Sequence, residues 1–362
     1  MQKFCVWTTH SLDRVRKTRT PQENYNFALC GAKGEYESFQ IVIHAMDEPL
    51  CIKNITFTEF SKNGEKLCDN IDIYREHYIS FDKNSHHKGV EGVIEQEIVG
   101  TIPDALIPAL HPITREPLGN KARFYAFPHE MPAGDLQPYF IDVKIPREAK
   151  SGIYSSEYTV VTDKGDFKGS VTLNVWNVEL PKAQVQKSFF GSWTDGSPSK
   201  SEVAAQNRIF IKAEGLELQE ELHEKYGYNT SHIGFWSGAD IERPNMNPAP
   251  ETEAVVERLK KYSPKTERFA YTADEIGWRK DLYPEIIRYG QALHKAGAKQ
   301  LVVMPPVNEL FDDGLGTGQS AVDIWVVLPK QYYEYKKNID GKSAFGKYKE
   351  KLRKNKRKEG KR

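Results

Sequence analysis

Tyr271-Thr272-Ala273-Asp274-Glu275 is the segment of this chain whose residue types could do chemistry together. Two adjacent carboxylates in a regular strand point to opposite faces. Where the strand gives way to its loop, both can turn to the same side. One carboxyl can then be held protonated as an acid while its neighbour stays ionised. Cleavage of a glycosidic bond needs such a pair: one group protonates the leaving oxygen and the other stabilises the developing positive charge. The competing reading is a solvated Asp-Glu at a helix start, where acidic side chains suit the helix dipole.

Aromatic placement favours the site. Trp193, Trp236, Trp278 and Trp325 fall at or just past the ends of predicted strands, Trp325 lying inside its run. Indoles around a polar mouth can stack on the apolar faces of a sugar ring. Each taken singly is equally a half-buried core residue. Other motifs are silent. Gly314-Leu315-Gly316-Thr317-Gly318 lacks the Gly-Lys-Ser/Thr ending of a phosphate-binding loop and reads as a rim loop. His86-His87 has no ligand partner at metal-binding spacing, so neither a metal nor another cofactor is expected.

The elements that must position these residues fall into two kinds. In the first half, 35–45, 52–60, 71–81, 139–145, 154–162 and 167–178 alternate or are rich in β-branched and aromatic residues. Asp163-Lys164-Gly165-Asp166 reads as a hairpin turn between the last two. This pattern predicts an N-terminal antiparallel β-sandwich over 1–183. From 184 to 339, short apolar runs alternate with helical stretches, the pattern of βα units. Strands are predicted at 187–193, 208–213, 230–236, 268–273, 300–304 and 322–328, and helices at 214–225, 251–262 and 283–296. Six strands in this length predict an incomplete (β/α)8 TIM-type barrel, whose C-terminal strand ends would carry the site.

Composition bounds the rest. The 362 residues include 51 Lys+Arg and 50 Asp+Glu, a formal net charge of +1. Residues 340–362 alone carry 11 basic and 3 acidic side chains, leaving 40 basic and 47 acidic before them. The acidic body argues against a nucleic-acid-binding surface spread over the protein. No apolar run approaches the ~18 residues of a membrane span, and residues 1–16 hold no signal-peptide core, so a cytoplasmic location is expected. Cys5, Cys30, Cys51 and Cys68 have no Cys-x-x-Cys spacing and are expected as reduced, mostly buried thiols.

Several motifs resemble glycoside hydrolase family 123-like proteins, a pattern also seen in the group called domain of unknown function 4091. They are Ala32-Lys33-Gly34-Glu35-Tyr36-Glu37-Ser38-Phe39-Gln40, Ser151-Gly152-Ile153-Tyr154, Val175-Trp176-Asn177-Val178-Glu179-Leu180-Pro181, Phe190-Gly191 and Val322-Asp323-Ile324-Trp325. The resemblance, over 3–339, implies a sandwich followed by a catalytic barrel that removes terminal N-acetyl-β-galactosaminyl groups with retention. It implies that the substrate's own acetamido oxygen is the nucleophile, that Glu275 is the general acid/base, and that Asp274 orients the acetamido N–H. Tyr271 is assigned to acetamido binding, and Trp193, Trp236, Trp278 and Trp325 to the sugar. The partner implied is a carbohydrate with a terminal N-acetylhexosamine. After Ile339 the resemblance ends in the Lys/Arg-rich stretch, which is read as a truncated or frame-disrupted end. The alternatives are a non-catalytic carbohydrate-binding protein with a degenerate barrel, or a basic-tailed interaction protein.

Overall fold

The computed structural model describes residues 3–67, 71–83, 99–119, 122–182, 186–191 and 197–328. Two compact units, Met1–Pro181 and Lys182–Arg362, divide the chain.

The first unit is built from strands β1 (Phe4–His10), β2 (Phe27–Lys33), β3 (Tyr36–Ala45), β4 (Leu50–Phe57), β5 (Phe60–Lys62), β6 (Glu65–Leu67), β7 (Ile71–Phe81), β8 (Gly100–Pro108), β9 (His129–Met131), β10 (Leu136–Lys144), β11 (Gly152–Thr162) and β12 (Gly165–Glu179). One sheet has the order β1-β3-β10-β7-β8; the other has β2-β12-β11-β4-β9, with β5 and β6 attached. Alternation decides what is buried. Phe39, Ile41 and Ile43 of β3 and Ile141 and Val143 of β10 share one core with Ile52, Val160, Val171 and Leu173 of the second sheet. The β11–β12 turn closes on Asp163 and Lys164, with Thr162 opposite Gly165. One expectation is corrected: β2 runs parallel to β12, so the sandwich is not wholly antiparallel.

The thiols differ from expectation too. Cys5, Cys30 and Cys51 are free, but Cys30 is exposed and the other two are half-buried. Cys30 sits on β2 beside Asn174 and next to the buried Leu29, so alternation turns it outward. Cys68 and His86-His87 lie outside the described residues.

The second unit carries helices α1 (Pro198–Gln206), α2 (Leu216–Tyr226), α3 (Thr252–Leu259) and α4 (Tyr283–Ala296), and strands β13 (Thr230–His232), β14 (Glu267–Asp274), β15 (Lys299–Val303) and β16 (Ile324–Val326). The strands form a curled parallel sheet in sequence order. A TIM-type barrel is not seen: the described residues contain four of the six expected strands. The reason lies in what other segments do to the remaining two. In 208–213, side chains take the carbonyls that a ladder would use: Ser201 Oγ donates to Lys212 O, Tyr228 Oη to Ile211 O, and Gln219 Nε2 to Ala213 O. In 187–191, Thr230 Oγ1 donates to the Ser188 carbonyl, and one backbone bond of 2.7 Å joins Phe190 N–H to Phe210 O. Phe210 itself packs against Tyr228, their rings 5.4 Å apart. Both segments are strand-like in composition but unladdered.

Helix α4 backs the sheet, burying Ile286, Tyr289 and Leu293 along one stripe. Its last turn is tied to the N-terminal ends of β15 and β16 by a buried triad. His294 lies 2.9 Å from a carboxylate oxygen of Asp313 through Nδ1 and 2.9 Å from one of Asp323 through Nε2. Burial alone pulls the His294 pKa down, but the hydrogen bonds and charges of Asp323 and Asp313 outweigh it and set the value above 6.5. A histidine raised on folding contributes stability that is complete below its unfolded pKa and is lost as pH rises through the folded one. Removing it leaves two buried carboxylates without a counter-charge. His294→Leu is expected to cost about 3 kcal/mol. Urea unfolding between about pH 6 and pH 9 should show the wild type weakening with rising pH and the variant showing no such decline.

Candidate active site

The strand that carries the carboxylates is irregular at one point. Tyr271 is opposite Leu301, but Ala273 is opposite Val302, so Thr272 is an extra residue on β14. Because strand side chains alternate, one inserted residue reverses the facing of all that follow. Thr272 and Ala273 are both fully buried, Ala273 in the helix-side core with Ile286, Val302 and Met304. Asp274, opposite Val303, therefore shares the face of Tyr271. The two side chains meet there. Burial first, then the charge of Asp274 and a hydrogen bond to it, then the charge of Glu275, push the Tyr271 phenol far above its ordinary value. Tyr271 thus stays protonated and can donate.

Glu275 lies just past the strand at φ 49°, in the left-handed region that side chains seldom adopt. Its N–H bonds Val303 O at 2.8 Å, and the Asp274 N–H bonds Ala239 O at 3.0 Å. Both backbone bonds hold the turn while the Glu275 side chain is exposed. A second left-handed residue, Phe235 at φ 64°, follows β13. Strained residues of this kind persist only where their surroundings over-determine them, and they cluster at functional sites.

The predicted tryptophans divide. Trp236 is 43% exposed and meets Tyr271 edge to face at 5.3 Å, so it belongs with the carboxylates. Trp278 is 62% exposed on the loop after Glu275, with the Arg279 guanidinium 5.4 Å from its ring centre. Asp281 holds that guanidinium by two hydrogen bonds of 2.9 and 2.6 Å. Trp325 is a correction: it lies opposite Val302 and packs with Phe311 and the helix-side core. An odd step along a strand places a side chain on the far face. Trp193 lies outside the described residues.

Sequence reasoning passed over His232 and Phe189. Phe189, His232 and Phe269 extend the aromatic face away from Tyr271, with centroid separations of 5.1 to 5.9 Å among the three. Period-two spacing from Thr230 is the signal that places His232 on a strand face, but nothing in the sequence says which strand is its neighbour.

Comparison with known proteins follows the fold. No family model matches the chain, and no curated protein matches it in sequence. Among solved structures, a family 123 glycoside hydrolase from Clostridium perfringens, studied for glycolipid glycan hydrolysis, aligns with a TM-score of 0.53 at 11% identity. The alignment covers 90% of this chain and 64% of that enzyme, so the chain spans less than two thirds of its length. A similarity at that identity shows a shared fold. The sporulation control protein Spo0M from Bacillus subtilis aligns over 50% of this chain and 51% of its own at 10% identity, with a TM-score of 0.23, too low to carry an argument.

The bulge that faces Asp274 toward Tyr271 is held by a buried network. Thr272 Oγ1 donates to Gln300 Oε1 at 3.1 Å, and Gln300 Nε2 donates to Ile286 O and Ala321 O, each at 2.9 Å. Gln300→Leu would remove the donor to both carbonyls in the interior and leave Thr272 Oγ1 only its longer contact of 3.3 Å to Leu301 O. It is expected to cost about 2–3 kcal/mol, read from urea melts, with Thr272→Val costing less because it removes one donor.

Proposed function

We propose that this chain is a glycoside hydrolase acting on terminal N-acetyl-β-galactosaminides by a substrate-assisted retaining mechanism. The observation that supports the reading most is the bulge in β14, which sets Tyr271 and Asp274 on one face at a strand's C-terminal end, with Glu275 on the turn that follows. The fold likeness to a family 123 enzyme, itself studied on glycolipid glycans, supports the same class.

In this reading the acetamido carbonyl oxygen of the substrate attacks C1 while the bond from C1 to the leaving oxygen breaks. Glu275, protonated, gives its proton to that oxygen. Asp274 accepts a hydrogen bond from the acetamido N–H, orients the carbonyl, and stabilises the positive charge of the oxazolinium ring. Glu275, now a carboxylate, takes a proton from water as its oxygen attacks C1 and reopens the ring. The Tyr271 hydroxyl donates to the acetamido group, and Trp236 and Trp278 offer flat faces to the sugar. Exposure of Glu275 suits an acid that must meet leaving groups of varied shape.

Release of nitrophenol from the N-acetyl-β-galactosaminide and N-acetyl-β-glucosaminide tests this. Glu275→Gln should lower kcat/KM by about 10³-fold and Asp274→Asn by about 10²-fold. Wild-type turnover that survives Glu275→Gln unchanged would remove the residue assignment. Sugar binding without turnover in the wild type would select a carbohydrate-binding protein instead.

A further inference from the structure

His232 ends β13 opposite Phe269 and stacks on its ring at 5.5 Å and 27°. Phe189 meets it edge-on at 5.9 Å, and Tyr271 lies 6.5 Å away. The imidazole is thus walled by aromatic rings on the face that carries Tyr271 and Asp274. Its Nε2 is buried and finds no hydrogen-bond partner among the described residues. Burial, and after it the nearby Lys212 charge, lower the His232 pKa, while a hydrogen bond with the Gly234 backbone works against them. In the neutral tautomer protonated at Nδ1, Nε2 is a bare acceptor lone pair.

A buried acceptor without a donor is a standing cost to the fold, and a phenylalanine of similar shape would avoid it. Lining groups that are left unpaired until a ligand arrives discriminate strongly for the ligand that pairs them. We infer that His232 is a substrate-binding and specificity-determining residue whose Nε2 accepts a hydrogen bond from a hydroxyl of the sugar seated against Tyr271. The inference rests on the hexosaminidase reading. There Asp274 takes the acetamido N–H, so the donors left on the sugar are its hydroxyls. It adds a polar contact to a surface otherwise lined by rings, which suits an amphipathic pyranose better than a wholly apolar ligand.

The test compares His232→Phe and His232→Gln with wild type on the nitrophenyl N-acetyl-β-galactosaminide. His232→Phe should melt at or above the wild-type temperature, yet lose roughly tenfold in kcat/KM, chiefly through KM. His232→Gln, whose amide oxygen can stand in for Nε2, should recover part of that loss. Nitrogen-15 spectra of histidine-labelled wild type should show the His232 Nε2 resonance moving on addition of N-acetylgalactosamine. That measurement decides the matter even if the phenylalanine variant does not fold. An active wild type with unchanged KM in His232→Phe, or an unmoved resonance at saturating sugar, overturns this inference alone. A wild type that neither binds nor cleaves an N-acetylhexosaminide removes the hexosaminidase reading and this inference with it.

Discussion

The extra residue at Thr272 is the constraint on which the carboxylate face depends. A strand reverses its facing at every residue, so one insertion moves every later side chain to the other side of the sheet. Thr272 and Ala273 both turn toward helix α4, and Asp274 comes round to Tyr271. The insertion is not left to the strand itself. Gln300 on the neighbouring strand accepts from Thr272 and donates to two carbonyls, one of them in α4. Strand, strand and helix are thereby tied through one buried amide, and its cost in desolvation is met because both ends of the amide are paired.

The two ends of the same sheet differ in character. Its N-terminal ends hold the His294 triad, where an imidazole bridges two carboxylates at 2.9 Å each. Its C-terminal ends hold left-handed Phe235 and Glu275, exposed indoles and an imidazole nitrogen that has no partner among the described residues. Strained and unpaired groups lower stability, whereas breaking the ionic pairing at the far end would leave buried charge uncompensated. This is the division expected where parallel strands carry a site at their C-terminal ends.

Much of the fold is legible in residue order. Helix α4 falls on 283–296 as predicted, because Ile286, Tyr289 and Leu293 recur at helical spacing and Gly297, at φ 85°, ends it. Strand β7 falls on 71–81 and β14 within a residue of its predicted span, since alternation and β-branching are local properties. No ladder forms over 187–191 or 208–213, for a reason outside their own composition. Their carbonyls are taken by Ser201, Gln219, Tyr228 and Thr230, residues 11 to 42 positions away in three of these bonds and 6 in the fourth. Strand propensity describes a surface that fits a pleat, not a ladder that must form.

The sequence by itself determined that a carboxylate pair follows a buried strand, that aromatic residues gather near it, and that a β-rich half precedes a βα half. Those are matters of residue type and short spacing. Only the tertiary structure decided that Asp274 faces Tyr271, that Trp236 joins them while Trp325 turns to the helix side, and that His232 lies against Phe269 with Nε2 unpartnered among the described residues. Facing and register are set by which strand pairs with which and where an extra residue enters. Those choices follow from contacts between distant segments, so no local window of sequence contains them.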